Sequence, residues 1–175
     1  MMHSEQIVVR TEHPSDIVAI HAVNAAAFGR AMEADLVDAL RANGHLTLSL
    51  VAEVDGEVVG HIGFSPATIS STGGDWTALA LGPLAVLPSR QRTSVGSALV
   101  REGLRQCVEM GHDVVFLLGH PTYYPRFGFV PSKPKGVWWA NNPDDALHFM
   151  LAELRPGALA GRIGAMRFSP EFDAV

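Results

Sequence analysis

The chain has 175 residues, 47% of them hydrophobic, and a formal net charge of −5; this excludes a disordered chain and fits one domain, residues 1–175, with a well-filled core. Its single cysteine excludes an internal disulfide and a thiolate metal cage, and the acidic balance argues against nucleic acid as a partner. No apolar run approaches the ~18 residues of a membrane span, and residues 1–6 lack the basic-then-apolar pattern of a leader, so the expectation is a cytoplasmic chain with no membrane partner.

Ile7-Val8-Val9-Arg10 reads as a first strand. Ser15 or Asp16 can then cap a helix whose apolar Ile17, Ile20 and Val23 recur at helical spacing. Gly29 interrupts that pattern, and Met32, Leu36, Val37 and Leu40 form a second amphipathic stripe that stops at Asn43-Gly44. Leu46–Glu53 and Glu57–Phe64 are β-branched runs around Asp55-Gly56, a strong local hairpin signal. Residues 70–74 form a polar loop, and Trp76–Val86 a long strand that Gly82-Pro83 should bulge or splay, because proline has no N–H for a sheet ladder. Ser94–Met110 reads as a helix with Gly96, Val100, Leu104, Cys107 and Val108 on its inner face. Val114–Leu118 is continuously apolar, as in a strand covered on both faces. Leu147–Leu154 and Arg162–Phe168 are the last strand candidates, and no repeat or linker marks a domain boundary.

Chemistry concentrates where the strand ending Leu84-Ala85-Val86 enters a polar turn, Pro88 to Thr93, and then a helix rich in small residues. The first N–H groups of a helix lack internal partners and carry the positive end of its dipole, which suits a phosphate or pyrophosphate. Arg90 and Arg92 add positive charge, and Ser94, Gly96 and Ser97 let a ligand approach the backbone. Small residues at a helix start equally suit close packing on a sheet, so the segment alone leaves both readings open.

The run Leu81 to Pro88 followed by Gln91-Arg92-Thr93-Ser94-Val95-Gly96 resembles motif A of the GNAT family of N-acetyltransferases, whose Gln/Arg-x-x-Gly-x-Gly/Ala signature cradles the pyrophosphate of acetyl-CoA. Tyr124-Pro125-Arg126-Phe127-Gly128-Phe129 resembles the family's Tyr-x-x-x-Gly-Phe element, and the stretch Leu118 to Phe129 is similar to a bacterial subgroup of these enzymes. The resemblance spans roughly residues 5–155 and leaves 156–175 as a C-terminal extension. It implies an α/β fold with a mixed, strongly twisted central sheet of about six to seven strands, flanked by helices and splayed between the fourth and fifth strands. It implies acetyl-CoA as co-substrate, held by Leu84, Ala85, Val86, Gln91, Arg92, Thr93, Ser94, Val95, Gly96 and Ser97. Ser94 departs from the motif glycine: it strains the turn by about 1–2 kcal/mol if φ is positive there, and fits if φ is helical.

Acetyl transfer to an amine needs an anchored thioester, donors for the developing oxyanion, a proton for the departing thiolate and a base for the ammonium. By resemblance the donors come from the backbone of Leu84 to Val86. Tyr124 is the expected general acid, since a phenol is protonated at neutral pH, with the adjacent Tyr123 as the fallback. His120 is the first candidate base; Glu33 and His61 are others, each also readable as an exposed helix carboxylate and a sheet histidine. Cys107 on an inner helix face reads as a small hydrophobe, and the eight histidines show no metal-ligand spacing, so no metal is expected. Lys133 and Lys135 read as solvated turn residues. Trp138 and Trp139 read either as a wall of the acceptor pocket or as a sheet-edge or dimer contact. With no credible nucleophile, the implied reaction is direct transfer to a small-molecule or peptide amine; the rival reading is a non-catalytic acyl-CoA-binding module. The resemblance, more than the apolar C-terminal strands, implies a homodimer.

Overall fold

The computed structural model describes residues 5–175, so four of the six N-terminal residues read for a leader lie outside the described residues. In chain order the elements are β1 (Ile7–Thr11), α1 (Ile17–Phe28), α2 (Met32–Ala42), β2 (Leu48–Val54), β3 (Glu57–Ser70), β4 (Trp76–Val86), α3 (Val95–Glu109), β5 (Val114–Leu118), β6 (Val130–Pro131), β7 (Val137–Trp139), β8 (Phe149–Glu153) and β9 (Gly164–Arg167). Among the described residues nine strands form one mixed sheet, seven of them in the order β1-β2-β3-β4-β5-β8-β6, with β9 beside β3 and β7 beside β9. The chain divides into two compact units: one comprises residues up to Phe64, Pro83–Gly103 and Glu171–Val175, the other Ser65–Gly82 and Leu104–Pro170. No helix of the described residues is long and apolar enough to cross a membrane.

In the first unit β1, β2 and β3 pair antiparallel, from Ile7↔Val54 to Thr11↔Leu50 and from Leu48↔Phe64 to Val54↔Glu57. The β2–β3 hairpin closes at Asp55 (φ +52°) and Gly56 (φ +77°), the two left-handed residues that let a tight turn follow the twist of its strands. Alternation then sorts the two faces. Val51 packs with Ile20 of α1 and Val37 of α2, while the opposite face receives α3. There, a Cβ on Gly60 would lie 2.8 Å from Val95 Cγ1 and 3.0 Å from Leu99 Cδ1, so the missing side chain brings the start of α3 down onto β3.

His61, the register partner of Val51, is fully buried under α1. Asn24 Nδ2 donates to its Nδ1 (3.1 Å), which leaves the proton on Nε2, from where it is donated to Ser49 Oγ (2.8 Å). Burial, with Arg41 adding, pushes His61 down to about 3. The unfolded chain therefore takes up a proton below pH ~6.5 that the folded chain refuses, and stability is lost as pH falls toward 3, at up to about 1.4 kcal/mol per pH unit. Denaturant midpoints measured from pH 7 to 4 should fall more steeply in the native chain than in His61→Asn; parallel curves would refute this origin.

In the second unit β4 and β5 run parallel, in register at Leu79↔Val115 and Ala80↔Phe116, after which β4 continues through Gly82 and Pro83. β5 pairs antiparallel with β8 from Val114↔Glu153 to Leu118↔Phe149. Phe116 and Phe149 stack at 5.5 Å within a core that includes Ile69, Val137, Leu151 and Met166.

Some local expectations change. β3 runs past Phe64 to Ser70, because Thr68–Ser70 find a partner in β9. Val108 is 51% exposed rather than on the inner face of α3, since one residue beyond buried Cys107 the helix has turned by about 100°. Trp138 and Trp139 point to opposite faces of β7, so Trp138 is exposed while Trp139 packs edge-on against Phe168 at 6.2 Å.

Candidate active site

The turn after β4 is held by its own side chains. The Leu87 N–H donates to Val59 O (2.9 Å), and Pro88–Arg90 form a single 3-10 turn closed by Arg90 N–H to Leu87 O (2.8 Å). Gln91 Nε2 donates to Val86 O (3.2 Å), Thr93 Oγ1 donates to Arg90 O, and the Arg90 guanidinium pairs with Glu5. Gln91 and Thr93 thus shape the turn with their side chains, and the exposed charge left beside it is Arg92.

Two residues of this turn adopt the left-handed region, Arg92 at φ +63° and Ser94 at φ +71°. Ser94 therefore falls on the strained branch, at a cost of about 1–2 kcal/mol. What that conformation achieves is visible one residue on. The Ser94 carbonyl accepts the first helical bond, from the Ala98 N–H (3.0 Å), so the N–H groups of Val95, Gly96 and Ser97 open the helix without intrahelical acceptors. The buried Val95 pins this helix start beneath the turn, while Gly96 and Ser97 remain half-buried. Leu84 and Val86 are also half-buried and Ala85 is buried.

The second unit carries the aromatic group. Past β5, the Gly119 N–H donates to His148 O (3.0 Å), and the Tyr123 N–H donates to His120 O (3.2 Å). Tyr124–Phe127 form a 3-10 turn that ends at Gly128, whose φ of +94° explains the glycine of this element. The half-buried Tyr124 ring lies edge-on to Tyr123 (5.0 Å) and to Phe129 (5.8 Å). Burial, with Tyr123 adding, pushes its phenol up to about 12. No hydrogen bond to its Oη occurs among the described residues, so the proton remains available for donation.

His120 is exposed beside this turn. The other two candidate bases are committed elsewhere. Glu33 is buried rather than exposed, and accepts bonds from Arg30 Nε (3.1 and 3.0 Å) that lower its pKa. His61 is locked neutral in the polar cluster with Asn24 and Ser49. Cys107 is buried and its thiol is pushed up to about 12, as befits an inert core residue. Lys133 and Lys135 are exposed, facing Asp144 (3.7 Å) and Glu153 (4.0 Å). A group that spacing did not reveal is His21, Asp35 and Asp38, with potential ligand atoms within 4.8 Å of one another. Asp38 there is already paired with His21 Nδ1 (2.8 Å) and Arg41 Nη1 (3.2 Å), which accounts for the clustering.

A family model described as an acetyltransferase (GNAT) domain matches residues 8–131, which include both the helix start and the tyrosine turn. The chain belongs to the GNAT family of acetyltransferases. Within that family it is 44% identical over 156 residues to an uncharacterized N-acetyltransferase of Escherichia coli, YjhQ, covering 85% of this chain and 86% of that protein. It is 34% identical over 171 residues to a second, YhbS, covering 95% and 99%. The crystal structure of E. coli YhbS in complex with CoA superposes with a TM-score of 0.89 at 33% identity, covering 99% of this chain and 95% of that one. A GNAT acetyltransferase from Brucella melitensis in complex with acetyl-CoA gives 0.80 at 37% identity, covering 97% and 99%. The mixed sheet with helices on both faces of β2 and β3 is thus the GNAT fold.

Proposed function

We propose that this GNAT-family protein moves an acetyl group from acetyl-CoA to a primary amine by direct attack in a ternary complex. The observation that carries the reading is the open first turn of α3, with the N–H groups of Val95, Gly96 and Ser97 directed by the Ser94 conformation. Three adjacent donors at the positive end of a 15-residue helix, with Arg92 exposed beside them, fit a diphosphate. The YhbS and Brucella complexes with CoA and acetyl-CoA support the same ligand here. Acetyl-CoA brings an activated acyl group with a sulfur leaving group.

In the step itself the amine nitrogen forms a bond to the carbonyl carbon as the carbon–sulfur bond breaks. The Tyr124 hydroxyl gives its proton to the leaving thiolate and regains one from the attacking nitrogen as the amide forms, while the proton that the ammonium loses before attack leaves through His120 or through water. The backbone of Leu84 to Val86 supplies donors for the oxyanion. Burial of the Tyr124 phenol keeps it in the donating form throughout the neutral range. A cysteine-bound intermediate has no support, because the single thiol is buried and protonated.

Thiol release from acetyl-CoA should depend on added amine, across a panel of small amines and peptides, and match acetylated product one to one. Coenzyme A alone should raise the melting temperature, by an amount corresponding to about 2.7 kcal/mol at one hundred times its dissociation constant. A melting shift without turnover on any amine would replace this reading with a non-catalytic acyl-CoA-binding module. No shift at all would overturn both.

A further inference from the structure

We propose that Gly119 and Arg126 are positioning residues for the Tyr124 phenol, Gly119 by leaving the space its ring fills and Arg126 by bracing it through Tyr123. The proposal rests on Tyr124 as the general acid only for its consequence in catalysis; the placement of the ring stands by itself.

A Cβ built on Gly119 would lie 2.3 Å from Tyr124 Cε2 and 2.8 Å from Tyr124 Cδ2, with Leu117 Cδ1 at 3.2 Å on its other side. Gly119 does not adopt a left-handed φ, so its backbone would accept any residue. The main obstruction to a side chain is the tyrosine ring, with Leu117 Cδ1 a lesser one. The backbone cannot readily retreat, because the Gly119 N–H is tied to His148 O (3.0 Å) just beyond the β5–β8 ladder. The conflict must therefore fall on the ring, five residues away in sequence.

The Tyr124 ring also packs against Tyr123. The Tyr123 ring meets Tyr124 edge-on (5.0 Å, 81°) and Phe127 edge-on (5.4 Å, 71°). Arg126 fixes Tyr123 twice, by Nε donation to its carbonyl (2.8 Å) and by a guanidinium stacked 4.6 Å from its ring centroid. A planar cation that both stacks and donates can restrain a half-buried aromatic ring in a way that lysine cannot reproduce. Tyr123 is accordingly a brace, and Tyr124 the group it holds.

The chain has only two tyrosines, so tyrosinate absorbance under alkaline titration reads them both. In the native protein one phenol should ionise near 12, since desolvation raises Tyr124. In Gly119→Ala that transition should move down toward the ordinary value of ~10 as the ring is pushed outward. The coenzyme-induced melting shift should persist and kcat should fall by about 10- to 100-fold with the KM for acetyl-CoA unchanged, the expected consequence of a displacement near 1 Å. Arg126→Ala, at an exposed site that does not threaten folding, should move the same transition in the same direction by less, and Arg126→Lys should not restore it. If Gly119→Ala fails to fold, the Arg126 pair decides. An unmoved high transition in the folded variants overturns the positioning role. A moved transition with native kcat leaves the positioning role standing and instead removes Tyr124 as the acid.

Discussion

Tyr124→Phe should lower kcat by about 10²- to 10³-fold, the usual worth of a positioned general acid, while leaving coenzyme affinity and the melting temperature nearly native. The substitution removes one oxygen from a half-buried ring whose hydroxyl bonds to nothing among the described residues, so no partner is orphaned. The ring keeps its edge-on contacts with Tyr123 and Phe129. What disappears is the proton for the thiolate. The pH profile carries a second signature. An acid held near 12 stays protonated through pH 10, so the native rate should climb as the amine deprotonates and show no descending limb from this group below that pH. Steady-state kinetics from pH 6 to 10 on both proteins would check this. A phenylalanine variant within two-fold of native kcat would remove Tyr124 from the chemistry and return Tyr123 or a water to consideration.

Much of this arrangement could be read from local chemistry. The hairpin at Asp55-Gly56 was legible because turn type depends on adjacent residues, and both take the positive φ that the pair favours. α3 was legible from its period and its glycine stop. Features that depend on distant partners were not. The end of β3 was obscured by Pro66, and β9, nearly one hundred residues later, supplies a partner for Thr68–Ser70 that no local pattern shows. Trp139 lies inside because β7 pairs with β9, a contact that no local pattern encodes. The candidate site shows the same division. Tyr124 and the 91–97 segment are motif positions, whereas the Ser94 backbone could have gone either way from composition alone. Gly119 resembled any loop glycine until the ring beside it was visible. Glu33 had the sequence of an exposed first-turn carboxylate, yet it is buried against Arg30.

The strongest separation of folding from binding is expected at Ser97, the third residue of α3. A glutamate there places a negative charge at the positive end of the helix, which should hold or raise stability by about 0.3–1 kcal/mol. The same carboxylate lies over the N–H groups of Val95 and Gly96 that a diphosphate would need, repelling it and satisfying the donors internally. The loss of two charge-assisted hydrogen bonds, at about 1.5–3 kcal/mol each before repulsion, weakens coenzyme binding by at least ~100-fold. Ser97→Glu should therefore melt no lower than the native chain, yet show no further rise when coenzyme A is added. Ser94→Gly tests the other half of the same turn. It releases the left-handed strain of about 1–2 kcal/mol at an entropic cost of about 0.5–1, so a modest gain in stability should come with coenzyme binding at least as tight. Calorimetry with coenzyme A on the three proteins distinguishes the alternatives. If Ser97→Glu still binds as the native chain does, the diphosphate is not held by this helix start, whose role is then the packing of Val95 and Leu99 on Gly60.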